Sequence, residues 1–274
     1  MQGLISVIVT TYNWPEALDL SLQSLAEQTD KNYEVVAADD GSTEATQTVV
    51  RKWQERYPVP LKWSWQEDKG FRAARSRNKA VTMADGDYLI LMDGDCFVRP
   101  DFVAAHRRLA QEKCIVPGQR ILLSPAFTQE CLQSQAIGWR QDFLQLFSLT
   151  RQKKLNRCLI TLPFPLDWMR LMKPHRWQWV RTCNCALFKS DYMAVGGQDE
   201  AYEGWGYEDS DMAIRLINNG CSVKWGGFTS PCFHLWHKEF DRTLEGRNRD
   251  RLNHLLQSKK IQADRPMSQH YESY

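Results

Sequence analysis

Short apolar runs alternate with helix-spaced stripes along the first third of this chain. Leu4–Val9 (LISVIV) has the length of a strand and the apolar content of one buried on both faces, as in a parallel sheet. Thr10, Thr11, Tyr12 and Asn13 follow as a polar loop, and Pro15 opens a stripe at Leu18, Leu22 and Leu25 with the spacing of one helix face. Tyr33–Ala38 is a second strand running into Asp39, Asp40, Gly41 and Ser42, with a helix from there to about Tyr57. Leu61–Trp65 reads as a weaker third strand, Ala73–Met83 as a helix and Tyr88–Met92 as a fourth strand. This alternation predicts an α/β fold with an open, mostly parallel sheet and right-handed crossovers. Such sheets bind ligands beyond the carboxyl ends of their strands. The pattern therefore places Thr10, Asp40, Asp93 and Asp95 along one edge.

From about Leu122 to Arg181 the periodicity fails, and aromatic, proline and basic residues mix as in an insertion or flexible lid. Asn184–Phe188 restores a short strand. Glu208–Asn219 is a helix stopped by Gly220 where a left-handed cap is expected, and Ser222–Trp225 is a further strand. Beyond Gln257 the chain is polar and reads as a frayed tail.

Composition changes this picture little. With 43% hydrophobic and 25% charged residues, 274 residues suit one globular domain carrying a long insertion. We divide it as 1–256, with a tail over 257–274. A formal charge of +2 gives no bulk attraction to nucleic acid. The eight cysteines are scattered through a chain too large to need disulfide staples. No secretory signal precedes Leu4, and no apolar run approaches the roughly 18 residues of a membrane span. Reduced thiols and a cytoplasmic location, possible contact with the inner face of a membrane included, are the expectation.

Four clusters carry candidate chemistry. In Met92-Asp93-Gly94-Asp95 two carboxylates follow a buried strand, which suits a hard divalent cation and the diphosphate it would neutralise, although Asp-Gly is also a turn dipeptide. Asp39 and Asp40 can accept hydrogen bonds from a base or ribose, while Ser42 can equally cap the next helix. In Gly204–Asp211 (GWGYEDSD) acidic residues crowd a helix start. They complement its dipole, and one beside Trp205 is a candidate general base. Pro231–His237 (PCFHLWH) offers a histidine to complete a metal site with Asp95. A zinc site from Cys232, His234, His237 and Cys183 or Cys185 is a rival with unusually loose spacing.

Taken together, IVTTYN (Ile8–Asn13), ADDGS (Ala38–Ser42), ARSRNKA (Ala74–Ala80) and MDGD (Met92–Asp95) resemble the large family 2 of inverting glycosyltransferases with the GT-A fold, over residues 4–120. GWGYEDSD and PCFHLWH are similar to the acceptor region of galactosyl- and N-acetylhexosaminyltransferases and of chondroitin-type polymerases, over about 181–240. The resemblance implies a Rossmann-like sheet with a nucleotide-binding half over 1–120 and an acceptor half over 121–256. It implies that Thr10 and Tyr12 line the base pocket, Asp40 bonds uracil, Asp93 holds ribose, and Arg72 or Arg75 steadies the diphosphate. By the same resemblance Asp95 and His237 bind a divalent metal, manganese or magnesium, with His234 the rival histidine. Asp209 is then the base, Glu208 an acceptor ligand and Trp205 a sugar platform. The implied partners are a UDP-sugar and a saccharide or lipid-linked saccharide, in bacterial surface polysaccharide or lipopolysaccharide synthesis.

A sugar nucleotidyltransferase would show a glycine-rich phosphate loop after the first strand, where this chain has Thr10–Asn13. A non-catalytic sugar-binding protein would have lost the base or the metal carboxylates, and both are present. Within 151–181, Arg151, Lys153, Lys154, Arg157, Arg170, Lys173, Arg176 and Arg181 interleave with Trp168, Trp177, Trp179 and Phe164. That mixture suits an anionic membrane surface or, equally, a packed lid.

Overall fold

Strand β1 (Ile5–Thr11) alternates its side chains between two cores. Ile5, Val7 and Val9 join one cluster, and Ile8 joins the other. The first cluster is closed by helix α1 (Pro15–Ala26), whose Leu18, Leu22 and Leu25 are fully buried at the predicted spacing. We describe residues 1–134, 142–163, 167–238 and 241–270 of a computed structural model. The succession continues with β2 (Tyr33–Asp39), α2 (Glu44–Gln54), β3 (Leu61–Trp65), α3 (Ala73–Thr82), β4 (Tyr88–Asp93), β5 (Cys96–Val98) and α4 (Phe102–Leu109). Then come β6 (Cys114–Pro117), β7 (Arg120–Leu122), α5 (Pro125–Ser134), α6 (Phe143–Arg151), β8 (Asn184–Phe188) and α7 (Lys189–Ala194). Helix α8 (Glu208–Asn218), β9 (Ser222–Val223), β10 (Cys232–His234) and α9 (Glu245–Leu256) complete it.

Among the described residues the main sheet has the order β3-β2-β1-β4-β8-β6-β9. β3, β2, β1 and β4 are parallel, and β8 runs antiparallel to both β4 and β6. The second core lies on the opposite face, where Ala80 and Val81 of α3 and Met212, Ala213 and Leu216 of α8 pack on Ile8, Val36 and Leu91. β3 is an edge strand and only partly buried, which accounts for its weak pattern. Thr10 and Thr11, expected in a loop, instead finish β1, and the carbonyl of Thr11 takes the Asp40 amide at 3.0 Å. The strand expected over Ser222–Trp225 is only Ser222–Val223. The backbone beyond it still runs beside β6, with the Lys224 and Gly226 amides on the carbonyls of Ile115 and Pro117, while the Trp225 amide on the other side bonds the carbonyl of Arg170. Gly220 takes the left-handed conformation (φ 86°) expected after α8.

Two expectations need correction. The segment 122–181 is not merely a lid. β5, β10 and β7 form a small second sheet, with Phe97 and Phe233 stacked at 5.1 Å, and this sheet needs a cover. Leu146, Leu155, Cys158 and Ile160 supply it in a third core. Its basic residues also divide. Arg170 is buried, bonding Asp167, Thr229 and two carbonyls, and Lys154 pairs with Glu130. Trp168, Leu159 and Met172 remain well exposed, and Phe164 lies outside the described residues. The tail beyond Gln257 is not frayed as far as His270. Ala263, Met267 and His270 are buried, and His270 meets Glu200 at 2.6 Å. Sparse apolar residues hid this packing, because Ile261, Ala263 and Met267 are too few and too irregularly spaced to mark it in sequence.

Candidate active site

β1 and β4 end side by side, and a cleft of about 830 Å³ opens beyond them. The turn at β4 depends on Gly94. Its amide donates to the Thr10 carbonyl at 2.7 Å, and a Cβ there would lie 2.9 Å from that oxygen. The close approach holds Asp93 and Asp95 over the strand ends. Thr10, Tyr12, Asp40, Asp93, Asp95, Trp205, Glu208, Asp209 and His237 all line this one cleft. They come from parts of the chain as far apart as β1 and the segment after β10.

The two aspartates after β2 separate in role. Asp39 faces inward, accepting from the Ser42 amide at 2.8 Å and from Trp63 Nε1 at 3.2 Å. Asp40 faces the cleft and accepts from Gln66 Nε2 at 2.5 Å and the Arg72 amide at 2.7 Å. Burial pushes the Asp40 carboxyl up to about 6, against the pull of those donors. Tyr12 is half-exposed at the rim and donates to Asp68 at 3.0 Å.

Asp95 stands beside two imidazoles. His237 Nε2 lies 3.2 Å and His234 Nε2 3.6 Å from Oδ2 of Asp95. Burial works to raise the Asp95 carboxyl, but His234 and His237 outweigh it and hold it below the ordinary range. The hydrogen bond to Asp95 in turn raises His237. The three donor atoms lie within 4.8 Å of one another. Ligand atoms about 2.1 Å from an ion at right angles sit about 3 Å apart, so this spacing fits adjacent positions around a divalent cation. The set contains no sulfur. Cys232 Sγ packs 3.8 Å from Cys96 Sγ in the core, which removes the ligand on which the zinc alternative rested. All eight cysteines are free and buried.

On the same cleft as Asp95 and the two histidines, α8 begins after a strained loop. Gly204, Gly206 and Tyr207 all have positive φ, and Tyr207 at 75° is unusual for a bulky residue. Asn248 Nδ2 ties the loop to α9, donating to the carbonyls of Glu203 and Trp205. The turn presents Trp205 to the cleft with Arg242 4.3 Å over its ring. Asp209 accepts from the Ser210 amide at 2.7 Å and approaches Arg181 at 4.0 Å. Burial raises the Asp209 carboxyl, while Arg181 opposes the rise. Burial and then the charge of Asp209 raise Glu208 as well.

The arginines are where sequence reading went astray. Neither Arg72 nor Arg75 lines the cleft. The Arg72 guanidinium bonds the Glu67 carbonyl, and Arg75 turns away to Glu200 at 3.3 Å. Arg77 is the cleft arginine on α3. It donates to Thr10 Oγ1 at 2.9 Å and Asp93 at 2.8 Å, and lies 3.5 Å from Glu208. The sequence does carry a signal for it, because Arg77 falls four residues from both Ala73 and Val81, on the buried face of the helix. Arg120, Arg181, Trp177 and Trp236 also line the cleft without having been singled out for it.

The family model for glycosyl transferase family 2 matches residues 6–173, and the model described as N-terminal domain of galactosyltransferase matches 170–238. A validoxylamine A glucosyltransferase of Streptomyces hygroscopicus subsp. jinggangensis is 32% identical over 236 residues, covering 79% of this chain and 52% of that protein. A chondroitin synthase of Pasteurella multocida is 29% identical over 230 residues, 79% of this chain and 23% of that protein. The chain thus spans about half or less of the length of these relatives. A mannosyltransferase from Pyrobaculum calidifontis, solved in complex with GDP-Man and Mn2+, superposes with a TM-score of 0.58 at 19% identity, over 85% of this chain and 57% of that one. The fold is therefore GT-A.

Proposed function

This chain belongs to glycosyl transferase family 2, and from that premise we propose that it moves a hexose or N-acetylhexosamine from a UDP-sugar to a saccharide or lipid-linked saccharide, with inversion. The setting proposed is assembly of a bacterial surface polysaccharide or lipopolysaccharide. The observation that carries the reading is that the Asp95–His234–His237 set and the partly buried Asp209 open onto one cleft. A divalent cation held by that set, manganese ahead of magnesium because two ligands are imidazoles, would neutralise the departing diphosphate.

The chain's own groups divide the remaining work. Asp40 accepts from the uracil ring between Thr10 and Tyr12, and Asp93, fixed by Arg77, takes the ribose hydroxyls. Trp205 supports a sugar ring. Asp209 removes the proton from the acceptor hydroxyl, whose oxygen bonds the anomeric carbon as the bond to the diphosphate breaks on the opposite side. Burial suits Asp209 to this task, because a raised carboxyl is a better base near neutral pH. No described helix is long and apolar enough to cross a membrane. Peripheral contact with an anionic membrane is part of the proposal, through exposed Trp168 and Met172 beside Lys173 and Arg176.

The test is hydrolysis of UDP-galactose, UDP-glucose and their N-acetylated forms, each with manganese and with chelator. Manganese-dependent release of UDP from one of them is expected. If none is hydrolysed and UDP does not bind, the reading fails.

A further inference from the structure

Beside the cleft lies a second pocket of about 260 Å³, sharing Arg120, Leu122 and Gln178 with it. Two of its walls are tryptophans. Trp179 and Trp225 stand 6.2 Å apart between ring centroids, tilted by 41°. The pocket is built rather than incidental. Buried Arg170 donates to the carbonyls of Trp225 and Gly227, each at 2.9 Å, and its own carbonyl accepts the Trp225 amide at 2.8 Å. The Trp225 ring lies so close over Gly227 that a Cβ there would come within 2.3 Å of it. Gly118 brings the backbone equally close to Asn184, where a Cβ would meet Nδ2 at 2.3 Å.

The polar lining is one-sided. Arg120 and Arg157 line the pocket, and among the described residues no acidic one does. Among the described residues neither guanidinium has an ion-pair partner. Gln119 Oε1 is buried there without a hydrogen-bond partner, an acceptor left for a hydroxyl or amide of a ligand. Flat aromatic walls bind the apolar face of a sugar ring, and paired guanidiniums bind a carboxylate or phosphate. Trp179 is two residues from Arg181, which touches Asp209, so the pocket begins within about 7 Å of chain from the base's neighbour.

We propose that this pocket is an acceptor subsite for an acidic sugar, with its ring against Trp179 or Trp225 and its carboxylate or phosphate between Arg120 and Arg157. The inference rests on the transferase reading and extends it to the acceptor. It follows that the acceptor carries its negative charge close to, but not on, the sugar whose hydroxyl reaches Asp209.

The test is calorimetric titration at low salt with three disaccharides, one ending in glucuronic acid, one ending in glucose, and the latter as its 6-phosphate. Each is titrated with and without UDP and manganese. Hydrogen bonds between charged partners give about a tenfold preference for an acidic form over the neutral one. Arg157→Gln, at an exposed position, should cut the preference to about twofold or less. Tighter binding of the glucuronide names a hexuronate, and tighter binding of the phosphate names a phosphosugar. Either supports the subsite. Equal binding of all three, or a preference that survives Arg157→Gln, overturns it. A protein that binds no UDP sinks the transferase reading, while the acidic preference still decides the subsite.

Discussion

Replacing Arg77 with methionine tests how the cleft is held together. The Arg77 side chain is 5% exposed and serves two carboxylates, Asp93 at 2.8 Å and Glu208 at 3.5 Å. Methionine fills much of its volume but removes the guanidinium that pairs with both acids. Removing one partner of a buried ion pair costs about 3–5 kcal/mol. Asp93 is 32% exposed and partly screened by water, so the low end, about 3 kcal/mol, applies. At about 2–4 °C per kcal/mol for a chain near this size, the melting temperature should fall by about 6–12 °C at pH 8. The loss should shrink with acidity. Without Arg77 the folded-state pKa of Glu208, already raised by burial, rises further above its unfolded value. The native state then binds more protons than the unfolded chain, and stability is regained as pH falls through that range. Circular-dichroism melts of wild type and Arg77→Met at pH 8 and pH 5 measure both effects. A gap under about 2 °C at pH 8, or one equal at the two pH values, would refute the account.

Other expectations are as direct. Asp209→Asn keeps the shape of the base and removes its proton acceptor, so transfer should slow by about 10²–10⁴-fold while UDP affinity holds; normal turnover in the variant would move the base elsewhere. Asp95→Ala should abolish manganese-dependent release of UDP and weaken manganese binding in a titration, and activity retained in chelator would dismiss the metal assignment. Arg181→Gln removes the charge that opposes the rise of Asp209, so the base stays protonated to higher pH and the acid limb of the kcat/KM profile should move upward; an unmoved limb would show that Arg181 does not act on the base. Wild type should pellet with anionic liposomes at low salt and release at high salt, and Lys153, Lys173 and Arg176 changed together to glutamine should stay in solution; a wild type that never pellets removes the membrane contact.

Features that depend on neighbours along the chain were readable from residue order alone. The apolar runs at Ile5–Val9 and Tyr88–Met92 have the length and composition of strands buried on both faces, and the stripe at Leu18, Leu22 and Leu25 has the spacing of a helix face, as the structure shows them. Carboxylates placed just after such strands must lie at the sheet's carboxyl edge, which is why Asp40, Asp93 and Asp95 were legible. What required the tertiary structure was the physical reason behind each choice between near neighbours and, for the arginines, the choice itself. Asp40 rather than Asp39 faces the cleft because Ser42 and Trp63 hold Asp39 inward. Arg77 rather than Arg72 or Arg75 enters it because α3 turns that face onto Thr10 and Asp93. His234 and His237 both reach Asp95 because β10 pairs with β5 and carries them there, a contact spanning about half the chain. Local periodicity reports which face of an element is buried. It carries no information about which distant element will cover that face, and here those distant partners select the residues of the site.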